Sequence, residues 1–474
     1  MSAASEIVLG LRPEVEIDVA LDGRVSLSCS WARIGLGTVA AGVGAALARL
    51  GDGGGTAAEL VALAESDGPR ASATLLYGLQ LIERRAMVRH EVHTAAGLLA
   101  RATPTTSAPL PRVAVPSDGS YQLTRFAVLR RGGSAMVLES PLSSVQVDLG
   151  LPLVGALVAA LAEPQTAATL AAIGPVEEAE AALLLQLLVE AGVVEPAGQE
   201  EAGTELWEFQ DLLLFTRSRR GRHSHPYGAT SPGRDRQHPK PALRVSFPAS
   251  PMALPRPDLD RLTATDPPFA RVVEDRKSVR QQGADPLSVE QLGELLFRVA
   301  RVRRVIEPNS GDPTSFTMTD RPYPSGGATY DLEVYLTVHR CVGLEPGLYH
   351  YDPLAHAVRL VREPSPETAA LLTDATQAAY LPGPPQVLVT LASRFGRVAW
   401  RYSSMAHALT LKNVGILQQT FCLAATAMGL GACPLGGGNS DTFANAAGTN
   451  YYEETSVGEL ILGSLPDDHS EPRP

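Results

Sequence analysis

A chain of 474 residues that is 45% hydrophobic and 19% charged is too apolar to stay disordered and too long for one ordinary domain, so two to four domains with sizeable cores are expected. Its longest apolar runs, around Leu36 to Leu47 and Leu149 to Leu161, are too short to span a bilayer, and the opening Met1-Ser-Ala-Ala-Ser-Glu-Ile7 lacks the pattern of a secretory signal; a cytoplasmic protein without a membrane partner is expected. The net charge of −11 comes with no basic stripe, which argues against nucleic acid as a partner.

Residue usage narrows the chemistry further. Cys29, Cys341, Cys422 and Cys433 lie far apart and form no Cys-x-x-Cys pair, so neither a metal site nor a disulfide framework is expected and they read as small core residues. Only Lys240, Lys277 and Lys412 occur among 40 basic residues. Arginine therefore makes almost every cationic contact, and a guanidinium does not lose its proton at working pH.

In chain order, the first 200 residues read as two copies of one unit. Val15 to Val19 and Arg24 to Ser30 are strand-like, Thr38 to Leu50 reads as a helix, and Thr56 to Ala64 and Ala71 to Glu83 follow as helical patterns. The second copy repeats the order with Tyr121 to Leu129 and Ala135 to Leu138 as strands and Leu151 to Ala162, Thr166 to Ile173 and Val176 to Gly192 as helices. Short strands with a three-helix set predict winged-helix-like domains over 1–104 and 105–200. DNA binding is disfavoured, because residues 1–100 carry eight arginines, no lysine and eleven acids. Capture of a peptide along an exposed sheet edge suits such a module, and a purely structural role fits the residues equally.

Residues 201–260 read as a linker or strap. The apolar segment Trp207 to Phe215 enters it, and Arg217, Arg219, Arg220, Arg222, His223 and His225 follow. These side chains form either a solvated arm or a strap that meets an anionic group or a partner subunit. From 261 to 474 the chain reads as one domain of helices and strands. Ser288 to Arg301 is a helix opened by a Ser288/Gln291 capping box; Leu332 to Val338, Gly347 to Tyr351 and Gln386 to Leu391 are strands; Leu409 to Met428 is a long apolar helix stopped by Gly429 and Gly431; Ile461-Leu462 belongs to a final strand.

Four pieces of this domain can build a site together. In Arg276-Lys-Ser-Val-Arg280 an extended backbone would turn Arg276, Ser278 and Arg280 to one face, where two guanidiniums and a hydroxyl suit a phosphate monoester; Lys277 would face away. Pro324-Ser325-Gly326-Gly327 combines a fixed turn with bare backbone that a flat ligand can approach. Trp400-Arg401-Tyr402 is the third piece. The run Gly429 to Gly438, with Gly436, Gly437 and Gly438 at its end, is the fourth, its backbone amides free to lie along a planar ring.

The order of these pieces, with Gly343 to Asp352, Leu411 to Gln419, Gly437 to Asp441 and Glu454 to Gly458, resembles the FMN-dependent nitroreductase-like fold. The branch it resembles is the azoline dehydrogenases of SagB/ThcOx type, which include the cyanobactin thiazoline oxidases. The resemblance covers residues 260 to 465, with Trp207 to Arg222 similar to the branch's approach segment and the front end similar to its peptide-clamp domains. It implies an α+β chain in which two winged-helix-like, peptide-clamp domains precede a nitroreductase-like FMN domain. It also implies that Arg276, Ser278 and Arg280 hold the FMN phosphate and ribityl chain, that Pro324, Ser325, Gly326 and Gly327 pack on the flavin across a homodimer interface, and that Gly436 to Gly438 line it. The implied reaction is two-electron oxidation of a peptide thiazoline or oxazoline to the thiazole or oxazole, with oxygen reoxidising the flavin, a precursor peptide as substrate and a cyclodehydratase as a possible partner.

Related enzymes place a Lys-Tyr pair where this chain has Arg401 and Tyr402. Arg401 can orient a carbonyl or stabilise negative charge but is a poor base, so Tyr402 is left as the proton-transfer group. Lys412, at the start of the long helix, is a further candidate. A non-catalytic scaffold for a cyclodehydratase and an NAD(P)H-dependent reductase of nitro compounds or quinones remain as alternative functions.

Overall fold

The computed structural model describes residues 6–22, 24–116, 118–223 and 226–466, so His225 of the basic cluster lies outside the described residues. The chain divides into two compact units, Met1–His225 and Pro226–Pro474. No helix among the described residues is long and apolar enough to cross a membrane.

In the first unit the two copies follow one plan. Val88–Thr94 pairs with the copy's opening strand Val8–Leu11, and Val194–Pro196 pairs with Tyr121–Leu123. The third helix ends the same way in each: Met87 N donates to Ile82 O at 3.1 Å and Val193 N to Leu188 O at 3.2 Å, around left-handed residues Ala86 and Gly192. That six-to-one bond over a left-handed residue is the Schellman ending of a helix. The copies are not separate bodies, however. Gly97–Pro104 pairs with Val145–Leu149, so one seven-stranded sheet runs through both and across the expected boundary at 104/105. The expected helix from Thr38 starts only at Ala41, because Ala32–Thr38 completes a three-stranded antiparallel sheet first.

The second unit is built on a seven-stranded antiparallel sheet in the order Met252–Ala253, Ala357–Arg362, Gly347–Asp352, Leu332–Val338, Val387–Ser393, Thr455–Ser464, Leu430–Leu435. Both faces are covered, so the central strands are apolar at nearly every position rather than alternately. Val334, Leu336, Val389 and Leu460 face the helices Val289–Ala300 and Ala406–Ala427. Tyr335, Leu388 and Ile461 face Pro366–Ala378 and Ser440–Ala447. The Ser288/Gln291 capping box is present, with both reciprocal hydrogen bonds, and the long helix gives way to the edge strand at Gly429, whose φ is +67°. Cys422 and Cys433 are buried, while Cys29 and Cys341 are only half-buried.

The expected linker divides between the units. Phe209–Arg217 is a helix of the first unit, where Arg217 pairs with Glu139 at 3.0 Å. Residues 226–250 pack on the second: Arg394 donates to Pro241 O at 2.8 Å, and Arg244 pairs with Glu454 at 2.9 Å. A run rich in Pro and Gly reads as a spacer, yet its backbone groups here are taken up by buried arginines.

Candidate functional site

The turn after Pro324 is held from inside the domain. Gly326 N donates to Asn413 Oδ1 at 3.0 Å, and Asn413 Nδ2 donates to Asp331 Oδ1 at 2.9 Å. Asp331 is fully buried and also accepts from Ser393 Oγ at 2.7 Å and Thr410 Oγ1 at 3.0 Å. Arg397 Nε donates to Thr329 O at 2.6 Å from the other side; burial, with Arg394 and Arg321 nearby, brings its pKa down to about 10. The Ser325 hydroxyl is committed within the turn, where it accepts from Tyr330 N at 3.1 Å. Ser325 therefore offers a ligand its backbone more readily than its side chain. Gly327, Ala328 and Tyr330 have φ of 60°, 53° and 41°, a left-handed path natural only for the glycine.

Tyr402 closes the short helix Gly396–Arg401, and its hydroxyl lies against Gly327: a Cβ on that glycine would be 2.3 Å from Tyr402 Oη and 3.1 Å from Arg401 Nε. Tyr402 is half-buried. Trp400 is the packed aromatic of the trio, edge-on to Phe316 at 5.5 Å and donating from Nε1 to Gln237 O at 2.8 Å. The Arg401 guanidinium carbon stands 5.5 Å from the Phe316 ring centre, and Nε is buried without a hydrogen-bond partner among the described residues. Hydrogen bonds from Thr314, and the Arg401 charge, hold the exposed Asp312 carboxyl below its usual range. This corner thus holds a hydroxyl and an unsatisfied cationic donor over bare backbone.

Arg276 to Arg280 lie beside the edge strand, opening with an extended Arg276, with Val279 N donating to Ala432 O at 3.0 Å and Val279 packing where a Cβ of Gly431 would lie. Arg276 is half-buried; Lys277, Ser278 and Arg280 are exposed. None of these four side chains has a hydrogen bond or ion pair among the described residues. The expectation for the run from Gly429 needs correction: Leu430–Leu435 is a strand whose backbone pairs with Thr455–Ser464, so the free backbone is confined to the exposed Gly436 to Gly438. Gly438 lies over the Glu459 carboxylate, 2.3 Å from where its Cβ would be, and burial raises the pKa of that acid. Lys412 is exposed on the long helix.

Within one chain these residues form two groups. Pro324 to Gly327 meet Arg401, Tyr402 and Asn413, while Arg276 to Arg280 meet the edge strand and lie near Cys422. Asn413 and Cys422 belong to the same helix, about 14 Å apart along its axis at 1.5 Å per residue. FMN fits the donor set: unpaired guanidiniums suit its phosphate, and two glycine-rich stretches suit a ring. Asn413, Asp331, Arg397 and Glu459 escaped the sequence reading as site residues. Asn413 does stand inside the motif Leu411 to Gln419, but nothing in its neighbours shows which backbone amide it holds.

Two family models match the chain: cyanobactin oxidase ThcOx over residues 121–224 and the nitroreductase family over residues 273–463. The protein named nitroreductase MJ1384 of Methanocaldococcus jannaschii is 31% identical over 186 residues, 39% of this chain and 84% of that protein. The microcin B17-processing protein McbC of Escherichia coli is 28% identical over 169 residues, 34% of this chain and 59% of that protein. Among solved structures, the E. coli microcin synthetase McbBCD complex with truncated pro-MccB17 bound is similar at 23% identity and a TM-score of 0.32, over 41% of this chain and 73% of that one. The chain belongs to the nitroreductase family of flavoprotein oxidoreductases, in the SagB/ThcOx type that carries a cyanobactin-oxidase segment ahead of the nitroreductase domain.

Proposed function

We propose that this oxidoreductase converts thiazolines or oxazolines of a ribosomally made peptide to thiazoles or oxazoles, with FMN as cofactor and oxygen as final electron acceptor. The observation that carries the reading is the convergence on the bare backbone of Gly327 of Tyr402 Oη and of Arg401 Nε, which has no hydrogen-bond partner among the described residues. The ThcOx match and the likeness to a microcin-processing protein support a peptide substrate.

When bound, FMN supplies a two-electron acceptor. Arg276 and Arg280 would grip its phosphate, with Ser278 on the ribityl chain, and Pro324 to Gly327 and Gly436 to Gly438 would seat its ring. The azoline ring gives up one hydrogen with the electron pair and a second as a proton. Tyr402 Oη would pass that proton on. A guanidinium is a poor base, so Arg401 would orient a peptide carbonyl rather than take a proton.

The proposal includes a homodimer, which an exposed stripe of the long helix supports. Leu411 and Ile416 are 41% and 36% exposed on a helix whose other side is core, and Lys412, Gly415 and Gln419 extend that exposed stripe. A second copy seated there would bring one chain's turn to the other chain's phosphate residues. The first unit, as paired winged-helix-like clamps, would hold the precursor peptide, and a cyclodehydratase would supply the azoline, all in the cytoplasm.

The test is incubation of FMN-loaded protein with a thiazoline peptide in air. A loss of about two mass units per ring is expected from the stoichiometry of dehydrogenation. Protein that takes up no FMN, or that binds it and leaves the peptide unchanged, refutes the proposal. In the latter case rapid bleaching by NADH would identify a small-molecule reductase, and turnover gained only in Arg401→Lys would identify a scaffold.

A further inference from the structure

Residues 226–241 fall between the two matched stretches, which end at 224 and begin at 273. They run along the carbonyl end of the helix that carries Arg401. Gly233 N donates to Trp400 O at 3.0 Å and Ser231 N to Arg401 O at 2.9 Å. Gly228 and Ser403 exchange both backbone bonds, at 3.3 and 2.9 Å. Side chains add to the seam: Thr230 Oγ1 lies 2.7 Å from Ser403 Oγ, and Ser404 Oγ donates to Pro226 O at 2.9 Å.

The last carbonyls of a helix have no partner inside it and must find one elsewhere. Here the strap supplies partners on both sides of Tyr402, at residues 401 and 403. Close approach depends on Gly233, where a Cβ would stand 2.4 Å from the Trp400 ring and 2.9 Å from its Cα. Ser231 and Ser404 adopt φ of 52° and 65°, a left-handed backbone that non-glycine residues keep only where surrounding contacts enforce it.

We infer that the strap is a positioning element for proton transfer: by capping residues 400–404 it holds the Tyr402 hydroxyl over Gly327. Nothing in the strap touches the reacting atoms in this scheme; it acts through the backbone of Arg401 and Ser403. The catalytic part of the inference rests on the azoline-oxidation reading, and the structural part does not.

Gly233→Ala forces a methyl into Trp400 and lifts the strap while leaving Arg401, Tyr402 and the flavin-facing residues unchanged. Thr230→Val removes one hydrogen bond, and Thr230→Ser keeps it. The full-length protein with FMN is assayed on a thiazoline peptide, alongside backbone hydrogen exchange over residues 400–404. In Gly233→Ala, faster exchange at Ser403, unchanged flavin absorbance, an unchanged KM and a kcat lower by about tenfold or more are expected. Thr230→Val should fall in between, and Thr230→Ser should match the wild type. Faster exchange with unchanged kcat overturns the inference, as does a kcat loss that only tracks flavin loss or unfolding. If the wild type leaves the peptide unoxidised, the azoline reading falls, and nitration of Tyr402 by tetranitromethane decides the strap: acceleration in Gly233→Ala supports it, and an unchanged rate overturns it.

Discussion

Gly327 and Tyr402 compete for one space: a side chain on the glycine would begin 2.3 Å from the phenol oxygen, and the glycine's φ of +60° disfavours any side chain there. Gly327→Ala therefore displaces Tyr402 as well as straining the turn. The backbone strain alone costs about 1 kcal/mol, which a domain of this size survives. Misplacement of a proton-transfer group by about 1 Å costs on the order of a hundredfold in rate. We expect a folded variant that binds FMN more weakly and whose turnover on a thiazoline peptide, measured with FMN at saturation, is reduced by about that factor. Wild-type turnover would show that the contact is packing alone.

Asn413 joins the Gly326 amide to Asp331 Oδ1, the carboxylate oxygen that Ser393 and Thr410 do not reach. Asn413→Ala leaves both short of a partner, the carboxylate oxygen in a buried place and the amide in a half-buried one, at about 1–3 kcal/mol. Asn413→Asp should be worse, since it sets a second carboxylate against Asp331. Thermal unfolding followed by circular dichroism should place both melting temperatures below the wild type, with Asn413→Asp the lower. Equal melting temperatures for all three proteins would mean the turn is held elsewhere.

Much of the second unit was legible because its elements are long and their punctuation is local. The Ser288/Gln291 box, the strand Leu332 to Val338 and the stop at Gly429 each follow from a few adjacent residues. The run from Gly429 to Gly438 misled because glycine spacing looks the same in a strand and in a loop. Gly431 is there to admit Val279, a contact between residues more than 150 positions apart in sequence. A strap was one of the two readings of residues 201–260, but its seat was not legible, for the same reason: its hydrogen-bond partners include Arg394, Arg397 and Ser403, and none is nearby in sequence. In the first unit the repeat was visible from its text, but the pairing of Gly97–Pro104 with Val145–Leu149 was not.

Arg276, Arg280 and Gly437 separate cofactor binding from stability. Neither arginine has an ion pair among the described residues, and a Cβ on Gly437 meets nothing within 4 Å. Arg276→Ala, Arg280→Ala and Gly437→Ala should thus leave the melting temperature of the cofactor-free protein unchanged. With FMN present, each arginine variant should bind about tenfold or more weakly, since a charge-assisted contact to phosphate contributes roughly 1.5–3 kcal/mol. Gly437→Ala should also bind weakly, because its methyl would occupy the ring's place. Titration followed by flavin fluorescence tests all three, and wild-type affinity in the arginine variants would remove this segment from the phosphate site.

His90 should make the first unit acid-sensitive. It is 3% exposed, its Nδ1 has no hydrogen-bond partner among the described residues, and burial, with Arg112 nearby, lowers its pKa to about 4. Glu83 approaches Nε2 only to 3.9 Å and is itself bonded to Arg112 at 2.8 Å, so it compensates little. Between pH 6.5 and 4 the unfolded chain binds a proton at this position that the folded chain refuses. Stability therefore falls as pH drops through that window and levels off, for this group, below it, with a total effect of up to about 3 kcal/mol. Glu190, on the facing helix, works in the opposite sense: burial raises its pKa, so the folded chain takes up that proton first and gains stability on acidification. Urea unfolding at pH 7, 5.5 and 4.5 should show a steeper loss for the wild type than for His90→Leu, which has no proton to refuse. Parallel losses in the two proteins would mean that His90 is protonated, and accommodated, inside the fold.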